Sequence, residues 1–332
     1  MTITSSPPAA RPRPARRPAV TVLVWLLVLP MAAWALVRLF GWERSIAVQL
    51  FAFTPYVAAW ALVPALIALL SRRWLAGALA VVAAALLAVA VLPRALPDAD
   101  RGPTTGVELN VLTFNILAGD ADAATLVGLV RDHDVAVLAM QEFTPDMQAR
   151  LSRAGLGRLL PYASPAAEYG STGSAVYSRF PVTAAGSRRN GGGFLQAYGT
   201  IQPPGAGPIQ IESAHPVAPY DLEVLADWRD DLRHQPRADP NRSPRILLGD
   251  FNSTLDHREL RRLISHGYRD AADTDGAGLI GTWGTYNGHP LPPVTIDHVL
   301  ADRRIGVRDV QVHRVPRSDH RAVLASLVVP RA

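Results

Sequence analysis

RILLGDFNSTLDH, residues 245–257, is the stretch on which the reading of the fold turns. An apolar run, Ile246-Leu247-Leu248, stops at Gly249 and delivers Asp250, Phe251 and Asn252 in succession. A short apolar run bounded by a turn signal reads as a buried strand. Alternate side chains of a strand share a face, so Asp250 and Asn252 are expected to point together from its end while Phe251 packs the other way. A carboxylate so placed can orient a water or take its proton, and a carboxamide can donate to a phosphoryl oxygen. The plainer alternative is an Asx turn in which both side chains satisfy local backbone groups.

Other strand ends weigh against that alternative. Short β-rich runs recur at 107–114, 135–139, 174–178, 194–201, 208–215, 245–249, 294–301, 307–315 and 320–329, with helical patterns at 121–133, 221–234 and 255–266. Mixed strands and helices over about 225 residues imply an α/β (α+β) domain with sheets at its centre. NVLTFNILAGD ends its run at Asn115, VAVLAMQEF at Glu142 and IQIESAHPVAP at His215. VTIDHVLAD places Asp297 in an apolar run, and RSDHRAV opens the last strand with Asp319-His320. Singly, each is explained by a cap, a turn or a surface carboxylate. Together they supply hard oxygen ligands, a water-activating carboxylate, amide donors and two imidazoles. Such oxygens suit Mg²⁺ or Mn²⁺. The lack of cysteine and of an H-x-x-x-H pair argues against zinc. A phosphoryl-transfer centre uses that inventory.

The ordered set F-N, Q-E, S-x-H, G-D-F-N, I-D-H, S-D-H resembles the endonuclease/exonuclease/phosphatase superfamily, whose members include deoxyribonuclease I-like enzymes, sphingomyelinases and inositol-phosphate phosphatases. The resemblance covers the chain from about residue 107 onward. It implies a four-layer sandwich, two central β-sheets flanked by helices, with the site at the strand ends. It also implies roles: Glu142 as principal metal ligand with Asn115 beside it, and Asp319 as a further metal-site carboxylate. Asp250 would activate the attacking water and Asn252 would hold the phosphoryl group. His320, oriented by Asp297, would contact the scissile phosphate, and His215 would be a second phosphate ligand or a general acid. Several nucleases of the family carry an acid two positions after the matched Asn, where this chain has Leu117; Asp120 or Asp122 is the nearest substitute.

The chain has 332 residues, 49% of them hydrophobic, and the excess lies in its first hundred. Runs at 20–40, 46–70 and 74–92 are each long enough to span a hydrocarbon core about 30 Å thick as a helix. Buried helices of a soluble core, and a cleaved signal peptide over residues 1–40, are the weaker alternatives. Residues 1–19 then form a basic cytoplasmic tail, 20–92 three transmembrane helices, 93–106 a Pro- and Gly-containing linker and 107–332 the catalytic domain. Arg11, Arg13, Arg16 and Arg17 in the tail, with Arg72 and Arg73 in the second loop, place those segments in the cytoplasm and the domain outside. The net charge of +5 is carried by arginine alone, and several arginines set topology, so it says little about nucleic acid.

A domain tethered at the bilayer reaches phosphorylated lipid head groups at high local concentration. The arrangement looks like the VanJ-type membrane proteins of actinobacteria, which are linked to teicoplanin resistance. The leading expectation is an outward-facing, Mg²⁺-dependent phosphodiesterase or phosphatase acting on a lipid-linked phosphate. An extracellular nuclease is the alternative, in which Trp283 and Tyr286 stack bases, although the same rings equally suit a lid over a lipid head group; a non-catalytic module that binds an antibiotic or lipid is a third.

Overall fold

The computed structural model describes residues 18–284 and 291–332; the tail arginines Arg11 to Arg17 and Tyr286 lie outside the described residues. The apolar third begins with α1 (Pro18–Phe40), continues through α2 (Ala47–Phe51), α3 (Thr54–Trp60) and α4 (Leu62–Leu70), and ends with α5 (Trp74–Val91). Two helical stretches, Pro18–Phe40 and Trp74–Ala95, are long and apolar enough to cross a membrane, not the expected three. The middle run gives the shorter stretch Thr54–Leu70. The reason is visible in residues 46–53. Val48 and Phe51 are buried, and Val48 joins a core cluster of the globular part, so this segment is drawn onto the domain. Pro55 then restarts the helix at its first turn, where a proline removes no needed donor. α1 and α5 meet through small side chains, Ala32, Ala35, Ala76, Ala80 and Ala83, as close-packed apolar helices do.

The globular part holds twelve strands in two six-stranded sheets among the described residues. In chain order these are β1 (Val107–Asn115), β2 (Val137–Gln141), β3 (Tyr162–Ala166), β4 (Ser174–Ser178), β5 (Thr183–Arg189), β6 (Leu195–Ile201), β7 (Ile209–Ala214), β8 (Arg245–Asp250), β9 (Tyr268–Asp270), β10 (Asp297–Asp302), β11 (Gly306–Arg314) and β12 (Arg321–Val329). The sheet orders are β11-β12-β1-β2-β4-β3 and β5-β6-β7-β8-β10-β9. Between the sheets pack Leu109, Val111, Ile211, Ile246, Leu248 and Val323. Outside the first sheet lie α6 (Ala123–Asp132), α7 (Pro145–Ala154) and the short α8 (Leu156–Leu159), which meet Leu112, Phe114, Leu138 and Met140. Outside the second lie α9 (Leu225–Arg233) and α10 (Arg258–Ser265), whose Trp228, Leu232 and Leu260 meet Leu247 and Phe251; the short α11 (Ala271–Asp275) follows β9. Two mixed sheets flanked by helices form the α/β sandwich.

The opening stretch has a second half with a separate task. Asp256 is fully buried; its Oδ1 accepts from Arg38 Nε and Arg94 Nη2, each at 2.7 Å, and its Oδ2 from Arg94 Nη1 at 2.8 Å. Burial works against this charge, but the hydrogen bond and charge of Arg94, and then Arg38, hold the carboxyl below its usual range. His257 Nδ1 accepts from Thr254 N at 2.8 Å, so Nε2 carries the hydrogen and donates to Val48 O at 2.7 Å. Glu43 accepts from Arg258 N with both oxygens, at 2.9 and 3.0 Å, placing a negative charge at the start of α10. Residues 255–258 therefore lock the apolar third onto the globular part. Segment 93–106 also lies along it, with Arg101 Nη1 paired to Asp275 at 2.9 Å.

Candidate active site

β1 and β2 are parallel, so their C-terminal ends emerge side by side, and β12, antiparallel to β1, starts at the same edge. The second sheet repeats the pattern with β8, β7 and β10. One edge of the sandwich thus collects Asn115, Glu142 and His320 from the first sheet and Asp250, His215 and Asp297 from the second. Gln141 ties the sheets just beneath, donating from Nε2 to Ser213 Oγ at 2.9 Å.

Asp250 is the centre of the group. Its Oδ2 accepts from Asn115 Nδ2 at 3.0 Å and stands 3.6 Å from His320 Nε2 and 3.9 Å from His215 Nε2. Its Oδ1 accepts from Asn252 N at 2.8 Å. Burial pushes the carboxyl up to about 7, against the pull of the His320 charge and with the Asp297 charge adding to the rise. A general base working near neutrality has its pKa in that range. His320 Nδ1 lies 2.9 and 3.1 Å from the Asp297 oxygens, which turns Nε2 toward Asp250. Burial opposes the His320 charge, but Asp297 and Asp250 outweigh it and push its pKa up to about 10. Asp297 is itself fixed, its backbone N–H donating to Thr282 Oγ1 at 3.1 Å.

His215 behaves differently. Burial, reinforced by the His320 charge, pushes it down to about 3. A neutral imidazole can donate one hydrogen bond from its protonated ring nitrogen. Asn190 Nδ2 donates to its carbonyl at 2.8 Å, and Phe194 meets the ring edge-on with centroids 4.6 Å apart.

Asn252 is not placed by strand alternation. β8 ends at Asp250, and Asn252 takes a left-handed conformation at φ 47°. Its Nδ2 donates to Pro216 O at 3.0 Å, so the carboxamide fixes the loop after β7 while its backbone N–H holds Asp250. The turn alternative is thus half correct: Asp250 satisfies a local backbone group, Asn252 N, while the Asn252 carboxamide reaches the loop after β7.

Glu142 also sits at positive φ, 60°. Left-handed non-glycine residues cost about 1–2 kcal/mol each and cluster where function requires them. Its Oε1 accepts from Asn115 Nδ2 at 3.1 Å and its Oε2 from Ala118 N. Burial raises its pKa, the Asp319 charge adds, and the two hydrogen bonds and His320 oppose the rise. Asn115 thus meets both Glu142 and Asp250 through its Nδ2, while its Oδ1 accepts from Leu117 N. In that orientation Asn115 bridges the two carboxylates through its nitrogen.

Asp319 Oδ2 accepts from Trp283 Nε1 at 2.9 Å; Oδ1 accepts no hydrogen bond among the described residues and lies 4.0 Å from His320 Nε2. An unengaged carboxylate oxygen close enough to raise a second carboxyl is what a hard divalent cation would neutralise. Glu142 and Asp319 therefore fit Mg²⁺ or Mn²⁺. Asp250, Asp297 and His320 also bring ligand atoms within 4.8 Å of one another. There His320 Nδ1 already engages both oxygens of Asp297. At the Leu117 position the loop curls through φ 47° at both Leu117 and Ala118, which delivers the Ala118 N–H to Glu142. Asp122 does not replace the missing acid, because it caps α6 by accepting from Thr125 N at 2.8 Å.

Three further residues support the site in roles that the motifs do not assign. Thr282 positions Asp297. Ser318 Oγ donates to Asn115 O at 2.9 Å and accepts from His320 N at 3.0 Å. Trp283, weighed as a stacking aromatic, binds Asp319. The small polar residues beside T-W and S-D-H are the available signal, and periodicity does not single them out.

The endonuclease/exonuclease/phosphatase family model matches residues 112–320, more than half of the chain, and the chain belongs to that family. Among solved structures, the endonuclease/exonuclease/phosphatase from Beutenbergia cavernae DSM 12333 is similar, with 19% identity, a TM-score of 0.55 and coverage of 67% of this chain and 72% of that one. A family protein from Leptotrichia buccalis has 16% identity and a TM-score of 0.52 over 66% of this chain and 99% of its own. Truncated TDP2 of Caenorhabditis elegans has 15% identity and a TM-score of 0.52 over 67% and 98%. These likenesses extend to the fold. No curated protein sequence matches the chain.

Proposed function

We propose that the protein is a membrane-anchored, Mg²⁺-dependent phosphoester hydrolase whose substrate is a lipid-linked phosphate of the cell envelope. The observation that carries the hydrolase reading is the Asp250 carboxylate, buried with one oxygen facing an amide and two imidazoles at 3.0–3.9 Å. Asp250 takes a proton from water as its oxygen attacks phosphorus. His320, held as imidazolium by Asp297, and the His215 N–H face the developing charge on the phosphoryl oxygens. The phosphorus–oxygen bond to the leaving group breaks, that oxygen takes up a proton from solvent, and Asp250 returns its own. A divalent cation held by Glu142 and Asp319 supplies Lewis-acid stabilisation when bound.

Membrane anchoring is supported by how little of the apolar surface is covered: only 28% and 33% of the two spanning windows is buried, whereas the core helix of a soluble protein is mostly buried. An outward-facing domain is supported by three contacts with the globular part. Arg38 at the end of α1 and Arg94 after α5 meet Asp256, and Tyr56 near the start of α3 donates to Pro293 O. The chain accordingly leaves the domain with α3, returns with α5, and puts Arg72 and Arg73 at the far end. Outward placement requires Thr54–Leu70 to complete a short passage; 17 residues rise about 25 Å, and local thinning of the bilayer closes the remainder. Teicoplanin resistance, as in the VanJ-type proteins that the arrangement resembles, would follow from action on a cell-wall lipid carrier.

The test is product release by purified full-length protein from a polyprenyl pyrophosphate, plasmid DNA and a simple phosphodiester, with Mg²⁺ or EDTA, comparing wild type with Asp250→Ala. Metal- and Asp250-dependent turnover of the lipid is expected. Turnover of DNA alone would make the protein a nuclease, and equal turnover by the variant would end the assignment of the site.

A further inference from the structure

Beside the active site lies a cavity of about 330 Å³ with walls from both parts of the chain. Val48, Ala52 and Phe53, at the junction of α2 and α3, form one wall; Trp283 and Ile296 form the other, and Asn252 stands at the rim. Its size is within the range of ligand pockets, roughly 300–1,000 Å³, which are mostly apolar with a few placed polar groups. His257 also lines it, but both ring nitrogens are engaged, with Thr254 N and Val48 O.

Two residues join this cavity to the catalytic group. Trp283 lines the cavity and donates from Nε1 to Asp319. Asn252 lines it too and holds Asp250 through its backbone N–H. A ligand whose phosphate sits at Asp250 thus has an apolar compartment next to it. Tyr220 lines the same compartment while being 72% exposed, and amphipathic rings of that kind sit at membrane–water boundaries.

We infer that this cavity seats the first stretch of the substrate's hydrocarbon chain, and that the ligand class is a phosphate or diphosphate ester of a long prenyl or alkyl alcohol. The inference rests on the phosphoesterase reading and adds a second task for the N-terminal helices. They are not only an anchor; the α2–α3 junction forms half of the chain-binding wall. The preference for a chain is then a property of the assembled molecule, and the catalytic sandwich alone has only one side of the pocket.

Two measurements on the full-length protein test this. In the first, turnover is followed for prenyl phosphates of increasing chain length and for a chainless aryl phosphate, in wild type and in Ala52→Trp, which fills the cavity from the helix side. Each buried methylene contributes about 0.8 kcal/mol, about fourfold in affinity, so wild type gains steeply in kcat/KM over the first methylenes. Ala52→Trp is expected to lose that gain and keep its rate on the aryl phosphate. An unchanged chain-length dependence in a variant that still turns over the aryl phosphate overturns the inference.

The second measurement needs neither the variant nor catalysis. A prenyl phosphate with a diazirine near the phosphate end of its chain is photolysed with wild-type protein, and the labelled peptides are identified. Labelling of residues 48–53 or of the Trp283 peptide supports the inference. Labelling confined to the exposed faces of α1 and α5 overturns it, even with hydrolysis intact. Labelling in the cavity without hydrolysis of any phosphoester upholds the pocket and overturns the enzyme reading.

Discussion

Asp250 illustrates how little freedom the site leaves its residues: it is buried, Oδ1 is held by Asn252 N, and Oδ2 is held by Asn115 and faces both imidazoles. Asp250→Asn keeps the shape and removes the base, so turnover should fall roughly 10²–10⁴-fold with substrate affinity little changed, as steady-state kinetics would show. Glu142→Gln should reduce the rise in Tm that Mg²⁺ gives the wild type, because a cation that binds only the folded state stabilises by mass action. His298 gives a prediction on stability. Its Nδ1 faces Asp270 Oδ2 at 2.6 Å and its Nε2 faces Ser253 O at 2.9 Å, two acceptors that require an imidazolium. Burial opposes that charge, but Asp270 outweighs it and raises the pKa above the ordinary 6.5. The stabilisation is therefore complete below about pH 6.5 and lost as pH climbs through the raised value. The fall of Tm on the alkaline side should be shallower in His298→Gln than in wild type. That Asn115, Glu142, His215, Asp250 and His320 gather at one edge was legible because each ends or opens an apolar run. The orientation of Asn115, the left-handed Asn252 and the burial of His215 were not, since each depends on partners more than twenty residues away in sequence.

The same boundary between local and distant information separates the strands that the sequence announces from those it hides. All nine expected strands are present, and the three unannounced ones, β3, β5 and β9, are all at sheet edges. An edge strand has one neighbour and buries less, so Thr183–Arg189, with no large apolar residue, is held by backbone pairing to β6. α7 is different, because its signals were in plain view: Thr144 caps it through Met147 N, Pro145 opens it, and Gly155 closes it at φ 91°. Its polar composition, with only Met147 and Leu151 buried, hid it from an argument built on apolar periodicity. At this scale the Asp256 clamp has a measurable weight. Asp256→Ala strands Arg38 and Arg94 without their shared carboxylate, and breaking a buried pair of this kind costs about 3–5 kcal/mol. Thermal unfolding should register that loss, and protease should cut the loop 251–258 more readily than in wild type.

At the scale of the whole molecule, the count of apolar runs was easier to read than their fate. The first and third became spanning-length helices, while the start of the second was taken by the globular core through Val48, a contact that depends on residues some two hundred positions downstream. The chain has no cysteine, so a single introduced thiol reports topology without background. Ser187→Cys, on the exposed strand β5, should react with a membrane-impermeant maleimide in intact cells, and Arg72→Cys should react only after lysis. The clamp that joins Asp256 to Arg38 and Arg94 also has a kinetic consequence. Under the proposed membrane-anchored, lipid-substrate function, a catalytic face held by that clamp against its helices would meet its substrate in two dimensions, at one depth, by lateral diffusion. For such an enzyme the effective concentration is the mole fraction of substrate in the leaflet. Adding inert bystander lipid should slow the reaction at constant total substrate, and adding buffer should not.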